Sequence, residues 1–250
     1  MATKENRESQ SFHEFADDKK TSALKKYQKL VIGNTSLPFL IIYELLITVL
    51  TNIPGMIGLF LRQKLYKSIL GKISKGSVIG MGVGFRHPRK IFIERGTVID
   101  DFVSLSVVGS EKSYIRLAEN VFIGRGSVLN VRDATIEISK NTSIGSHCRV
   151  ASTQGTIKIG EYVFVAAYCY LGGGNHKVDR TDIPIAMQGF ESKGGITIGD
   201  DVWIGANCVV ADGVTIGKGS IIGACSYVNK DVPEFSIAFG SPAIVHKKRR

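Results

Sequence analysis

IGDDVWIGANCVVADGVTIGKGSIIGACSYVNKDVP, residues 198–233, divides into six hexapeptides. Each opens on an aliphatic residue (Ile198, Ile204, Val210, Ile216, Ile222, Val228), and a Gly, Ala or Asn follows it. Four places after the opener stands a small or branched residue (Val202, Cys208, Val214, Ser220, Ser226, Val232). A helix needs apolar positions at about 3.6 spacing and an isolated strand needs strict alternation. A period of six fits neither, and it predicts a parallel β-helix in which three short strands complete one triangular coil and the openers stack inward.

One coil cannot bury its apolar face alone, so the repeat must extend. Going upstream, Ile159, Val165 and Leu171 share a coil, as do Ile138, Ile144 and Val150. Leu117, Ile123 and Leu129 form another, then Ile93, Ile99 and Leu105, and more faintly Ile73, Ile79 and Phe85. First openers at 73, 93, 117, 138, 159, 198 and 216 give seven coils with steps of 20, 24, 21, 21, 39 and 18 residues. Each excess over 18 is a loop at a corner, and the step of 39 hides one large excursion. Seven coils stacked as strands stack make a prism roughly 30 Å tall. The hand of the coil does not follow from the period.

Four segments result. Residues 1–20 are polar and charge-rich, and are expected to be a disordered tail. Residues 21–72 read as helical, residues 73–233 as the β-helix with its loop at 172–195, and residues 234–250 as a basic tail that leaves the last coil. Within the helical segment, residues 37–61 are apolar enough to raise the question of a membrane. Glu44 lies inside that stretch, and Thr51-Asn52 followed by Pro54-Gly55 cut it into two shorter pieces, suited to an interfacial or re-entrant segment, with Arg62, Lys64, Lys67 and Lys72 as cations beside it. The alternative is a helical cap on the first coil. A charged segment of more than 30 residues precedes the apolar stretch, so no signal peptide is expected. The net charge of +10 is scattered and no nucleic-acid motif accompanies it, which points to anionic lipid or a phosphate-bearing cofactor rather than nucleic acid. Cys148, Cys169 and Cys208 lie four places after an opener and Cys225 one place earlier, so reduced core or near-core thiols are expected, with neither disulfide framework nor metal spacing.

The excursion, GGGNHKVDRTDIPIAMQGFESKGG, is where chemistry is expected. Long loops inside compact domains are usually functional or disordered, and this one is anchored at both ends by regular coils. Its glycines permit backbone turns closed to other residues. His176 follows them, and an imidazole with a pKa of about 6.5 is suited to general-base work. A histidine that merely ties the loop together is the plain alternative.

With the GGGNH loop, the restart at residues 198–233 and the closing GSPA (residues 240–243), the chain resembles the hexapeptide-repeat acyltransferases, and most of all their O-acetyltransferase branch of polysaccharide, maltose, nodulation-factor and xenobiotic enzymes. The resemblance covers residues 73–245, with a fainter likeness over residues 37–72 to acyltransferases of glycan and lipid-carrier biosynthesis. It implies a left-handed β-helix, a homotrimer, acetyl-CoA as co-substrate, no metal, and an active site between subunits. His176 matches the family's catalytic histidine. Asn175, Asp179 and His147 (one coil earlier, where small-sugar enzymes often carry Asn) are placed near the acceptor or the imidazole, and Asp182 is a weaker partner. Trp203, Ala206, Ala224, Lys230 and Pro242 match places along the cofactor, with the thioester end at Trp203.

The resulting expectation is a cytoplasmic acetyl-CoA-dependent O-acetyltransferase acting on a sugar hydroxyl of a surface polysaccharide or a lipid-linked glycan precursor, with peripheral membrane contact. The alternatives are N-acetylation of an amino-sugar or other small acceptor, and a non-catalytic β-helix scaffold. A scaffold has no need of a histidine on a glycine-hinged excursion. A metal enzyme on the same fold would need clustered histidines, and His87, His147 and His176 lack that spacing.

Overall fold

Every opener faces inward from its strand, and the openers of successive coils meet in register. Ile73 pairs with Ile93, Ile93 with Leu117, Leu117 with Ile138, Ile138 with Ile159, Ile159 with Ile198, and Ile198 with Ile216. The same holds on the second face from Ile79 to Ile222 and on the third from Phe85 to Val228. The computed structural model describes residues 21–33 and 36–250, so the expected disorder of residues 1–20 lies outside the described residues. Three parallel sheets form the faces of a left-handed prism of about seven coils. The openers pack into one continuous core with almost no exposure.

Within a coil the openers of the three faces are six residues apart, so the loops all enter at one edge. They connect the third face to the first: Leu105 to Leu117, Leu129 to Ile138, Val150 to Ile159 and Leu171 to Ile198. Buried hydroxyls tie neighbouring coils: Thr97 Oγ1 donates to Ala118 O at 2.7 Å, Ser127 Oγ to Gly145 O at 2.9 Å and Thr142 Oγ1 to Gly160 O at 2.7 Å. A hydrogen bond in such a dry interior satisfies groups that would be costly to leave unpaired. Coils also approach closely where glycine follows an opener. A Cβ on Gly205 would lie 2.5 Å from the amide nitrogen of Ala224.

Two helices, Leu37–Leu50 and Gly55–Leu65, precede the first strand and are broken where Pro54 enters. Phe39, Leu40, Tyr43 and Leu50 join the prism's core, and the Tyr43 hydroxyl donates to Phe85 O at 2.8 Å. Tyr66 meets Phe85 edge to face at 5.6 Å. These contacts make the helices a lid on the first coil.

Three expectations are corrected here. Arg62 is not a surface cation: it is 1% exposed, and its guanidinium donates to Ile79 O, Leu50 O and Ile53 O at 2.8–2.9 Å. The chain does not leave the β-helix after Val232. Val232 bridges to Ile216, Ser236–Gly240 adds a parallel strand to the second face, and Ala243–Lys248 folds back on it antiparallel. The basic terminus is held there, Arg249 reaching Asp201 at 2.8 Å and Gly219 O at 3.0 Å. Cys225 is not near the core but exposed at a corner in the left-handed region (φ 60°), while Cys148, Cys169 and Cys208 are buried and all four thiols are free.

Candidate active site

The excursion is a folded arm rather than an open loop. Gly172 and Gly173 belong to the strand Tyr170–Gly173 and pair with Ala151 and Ser152. Of the three opening glycines, Gly174 alone uses left-handed backbone (φ 96°), and a Cβ there would fall 2.3 Å from Thr153 O. The chain then lifts off as Asn175–His176, paired antiparallel with Phe190–Glu191, so that His176 lies opposite Phe190. The two rings pack at 4.5 Å. Farther out, the Gln188 side chain closes the arm, accepting from Arg180 N at 3.0 Å and donating to Arg180 O at 2.7 Å. Asp182 is engaged by the Arg180 guanidinium, its Oδ1 2.9 Å from Nε, and not by His176. His176, Asn175 and Asp179 are exposed, and among the described residues no side chain hydrogen-bonds the imidazole.

Asp212 holds the returning half of the arm, and sequence reasoning missed it. It is 7% exposed and accepts from Lys193 N at 2.5 Å, Gly195 N at 2.9 Å and Ser192 Oγ at 3.2 Å. The signal was present: Asp212 stands two places after its opener, where the preceding hexapeptide carries Ala206. Beside the arm's base a cavity of about 230 Å³ opens along the looped edge, lined by Lys112, Asp133, Thr135, Gln154 and Thr156 among others.

The remaining expected site residues lie elsewhere on the same prism. His147 occupies the corner between the second and third faces in left-handed backbone (φ 56°), stacked on Tyr168 at 5.3 Å. Ala206 and Ala224 line that corner in later coils, and Trp203 projects outward from the second face between Phe164 and Ile221. Lys230 follows the last strand of the third face, and Pro242 is at the C-terminal hairpin tip. One chain therefore carries its candidate residues on two different edges: His176, Asn175 and Asp179 on one, and His147, Trp203, Ala206 and Ala224 on or beside another.

The three faces differ in what they turn outward. The first shows Lys72, Phe92, Arg116, Glu137, Lys158, Thr197 and Thr215 in register. The second shows Val78, Val98, Phe122, Ser143, Phe164, Trp203, Ile221 and Ile237, apolar at every rung but one. The third becomes apolar in its later coils, at Tyr170, Val209 and Tyr227.

Comparison with known proteins supports the reading of the repeats. Residues 195–230 match the family "Bacterial transferase hexapeptide (six repeats)". A Mycobacterium tuberculosis protein named "Probable acetyltransferase" is 32% identical over 140 residues, 56% of this chain and 46% of that protein. Chloramphenicol acetyltransferase of Klebsiella aerogenes is 34% identical over 110 residues, 42% of this chain and 50% of that enzyme. The chain thus spans about half the length of these relatives. Among solved structures, the polysialic acid O-acetyltransferase OatWY is similar at TM-score 0.55 and 18% identity, over 71% of this chain and 82% of that one. The N-acyltransferase AntD of Bacillus cereus, solved with a dTDP-amino-sugar and coenzyme A, is similar at TM-score 0.52 and 19% identity, over 76% of this chain and 89% of that one. These structures bear out the left-handed β-helix, and the matches as a whole bear out the likeness to hexapeptide-repeat acyltransferases.

Proposed function

We propose that this chain, built on the hexapeptide repeat of the bacterial transferases, is an acetyl-CoA-dependent O-acetyltransferase of a sugar hydroxyl, on a surface polysaccharide or its lipid-linked precursor. The observation that carries the reading is the folded arm, which holds His176 exposed at the looped edge and is tied down by Asp212. His176 takes the proton of the acceptor hydroxyl as that oxygen attacks the thioester carbonyl of acetyl-CoA. The new C–O bond forms, the C–S bond breaks, and the imidazolium returns the proton to the departing thiolate. No acyl-enzyme is needed when both substrates are bound together and oriented. A general base matters most for a hydroxyl, which is a weak nucleophile until its proton is taken; a neutral amine needs less help, so this arm favours the oxygen acceptor.

Assembly completes the site. An outward ladder of Phe122, Phe164, Trp203 and Ile221 on the second face stays wet in a lone chain, and burying it gains about 25 cal/mol per Å². A homotrimer that covers this ladder places the His176 arm of one copy against the Trp203, Ala206 and Ala224 edge of the next. The small alanines leave room for the pantetheine arm between copies, and Asn175, Asp179 and His147 contact the acceptor or orient the imidazole. Lys230 and Pro242 lie toward the adenine and phosphate end. A soluble acetyl-CoA donor fits a cytoplasmic enzyme. The test is release of free thiol from acetyl-CoA against glycans, lipid-linked sugars and amino-sugars. Turnover with hydroxyl acceptors is expected; turnover confined to amino-sugars would replace O-transfer by N-transfer, and none with any acceptor would favour the scaffold.

A further inference from the structure

The two lid helices, Leu37–Leu50 and Gly55–Leu65, are apolar on both sides. Their inner side is spent in the core, through Phe39, Leu40, Tyr43 and Leu50. The outer side is not covered: Leu37, Ile41, Leu45 and Val49 run down one helix at four-residue spacing, each more than half exposed, with Ile42 beside them. The second helix continues the pattern with Met56 (85% exposed), Ile57 (71%) and Phe60 (54%). One turn past Phe60, Lys64 lays its ammonium 4.4 Å over the Phe60 ring, and Lys67 follows. A soluble helix is ordinarily polar on its outer face, and an apolar patch rimmed by polar residues marks an interaction site.

We infer that this face docks the protein on an anionic lipid surface, lying in the interface without crossing it. Charge decides the occupant. Residues 21–75 contain Lys25, Lys26, Lys29, Arg62, Lys64, Lys67, Lys72 and Lys75 against Glu44 alone. Arg62 is buried and Lys72 is paired with Glu94 at 2.8 Å, while Lys25, Lys64, Lys67 and Lys75 stand against the single carboxylate of Glu44, so the charge around the patch is positive. A second copy would set these lysines against their own kind, whereas anionic headgroups complement them and the ring-stacked Lys64 stem suits the boundary between acyl chains and headgroups. Copies of the chain have a different apolar surface in the Phe164–Trp203 ladder. Among the described residues no single helix is long and apolar enough to cross a membrane; the segments Ala23–Ile32 and Leu37–Leu50 reach that length and composition only as a pair bent by 71°. With Phe39, Leu40 and Tyr43 committed to the core, only the outer side is free to enter lipid.

The test is co-sedimentation of the full chain with phosphatidylcholine vesicles, with and without phosphatidylglycerol, at low and high salt. It needs no acetyl-CoA, so it stands or falls separately from the proposed reaction. The chain is expected to pellet with phosphatidylglycerol vesicles. K64Q/K67Q is expected to weaken binding about 25-fold at low salt, about fivefold per lysine, and much less at high salt. L45D/I57D is expected to abolish binding with an unchanged thermal midpoint; should that pair unfold, L45Q/I57Q takes its place. Absence of the full chain from the pellet overturns the inference, as does wild-type binding by the outer-face variant. If the outer-face variant instead shifts the sedimentation coefficient of the free protein while vesicle binding is absent, a second copy is the occupant.

Discussion

Arg62 is the most consequential single side chain outside the arm. Its guanidinium joins three elements: Leu50 O at the end of the first lid helix, Ile53 O in the turn, and Ile79 O in the first coil. Burial pulls its pKa below the usual arginine value, while the charge remains. Arg62→Leu keeps much of the volume but takes the charged donor from three carbonyls, of which Leu50 O retains the Ile53 amide at 3.4 Å. A hydrogen bond from a charged group contributes about 1.5–3 kcal/mol, and an orphaned buried acceptor costs about 1–3 kcal/mol. A cavity of about 150 Å³ lined by Pro54, Gly55, Leu59, Arg62, Met81 and Asp101 lets water reach part of this gap. Removing the desolvated charge also returns some free energy. The net loss is therefore about 3–5 kcal/mol, or a fall in Tm of roughly 10 °C for a chain of this size. Urea unfolding of wild type and variant at one protein concentration measures it. A loss below about 1 kcal/mol would show that the lid does not depend on this staple.

Three further outcomes follow from named contacts. His87 Nε2 donates to Lys29 O at 2.9 Å, its buried Nδ1 has no hydrogen-bond partner among the described residues, and burial pushes its pKa below 6.5. The unfolded chain therefore takes the proton first, so stability is full above about pH 6.5 and declines as pH drops through that value toward the depressed folded pKa; thermal melts should show His87→Gln flattening this segment, and an unaltered curve would remove His87 as its source. Asp212→Ala should release the arm and lower kcat about 10²-fold with KM for acetyl-CoA nearly kept, by misplacing the base; in an H176A background the same change should add little, and full additivity would make Asp212 merely structural. Phe164→Glu with Trp203→Glu should dissociate the assembly, and sedimentation of an intact trimer would disprove the second face as the contact.

The prism was legible because a period of six leaves one way to bury every opener, and all seven first-face openers are stacked in register as the spacing requires. What escaped depends on contacts between distant segments. Arg62 reads as a surface cation beside an apolar run, and only the carbonyl ends of the lid and the first coil turn it inward. The C-terminal strand lacks a further hexapeptide, yet the open edge of the second face recruits it through backbone pairing, Ile221 with Ile237. The arm was legible as an insertion with a histidine. Its ladder through Phe190 and its clamp at Asp212 were not, because each joins residues 14 or more apart with no shared period.

Acetyl-CoA turnover by His176→Ala, with the best acceptor from the panel, tests the central claim most directly. A general base contributes about 10²–10⁴-fold, so kcat should fall by that factor while thermal stability and assembly stay as in the wild type. A loss of less than about tenfold would contradict the account and remove His176 from the reaction.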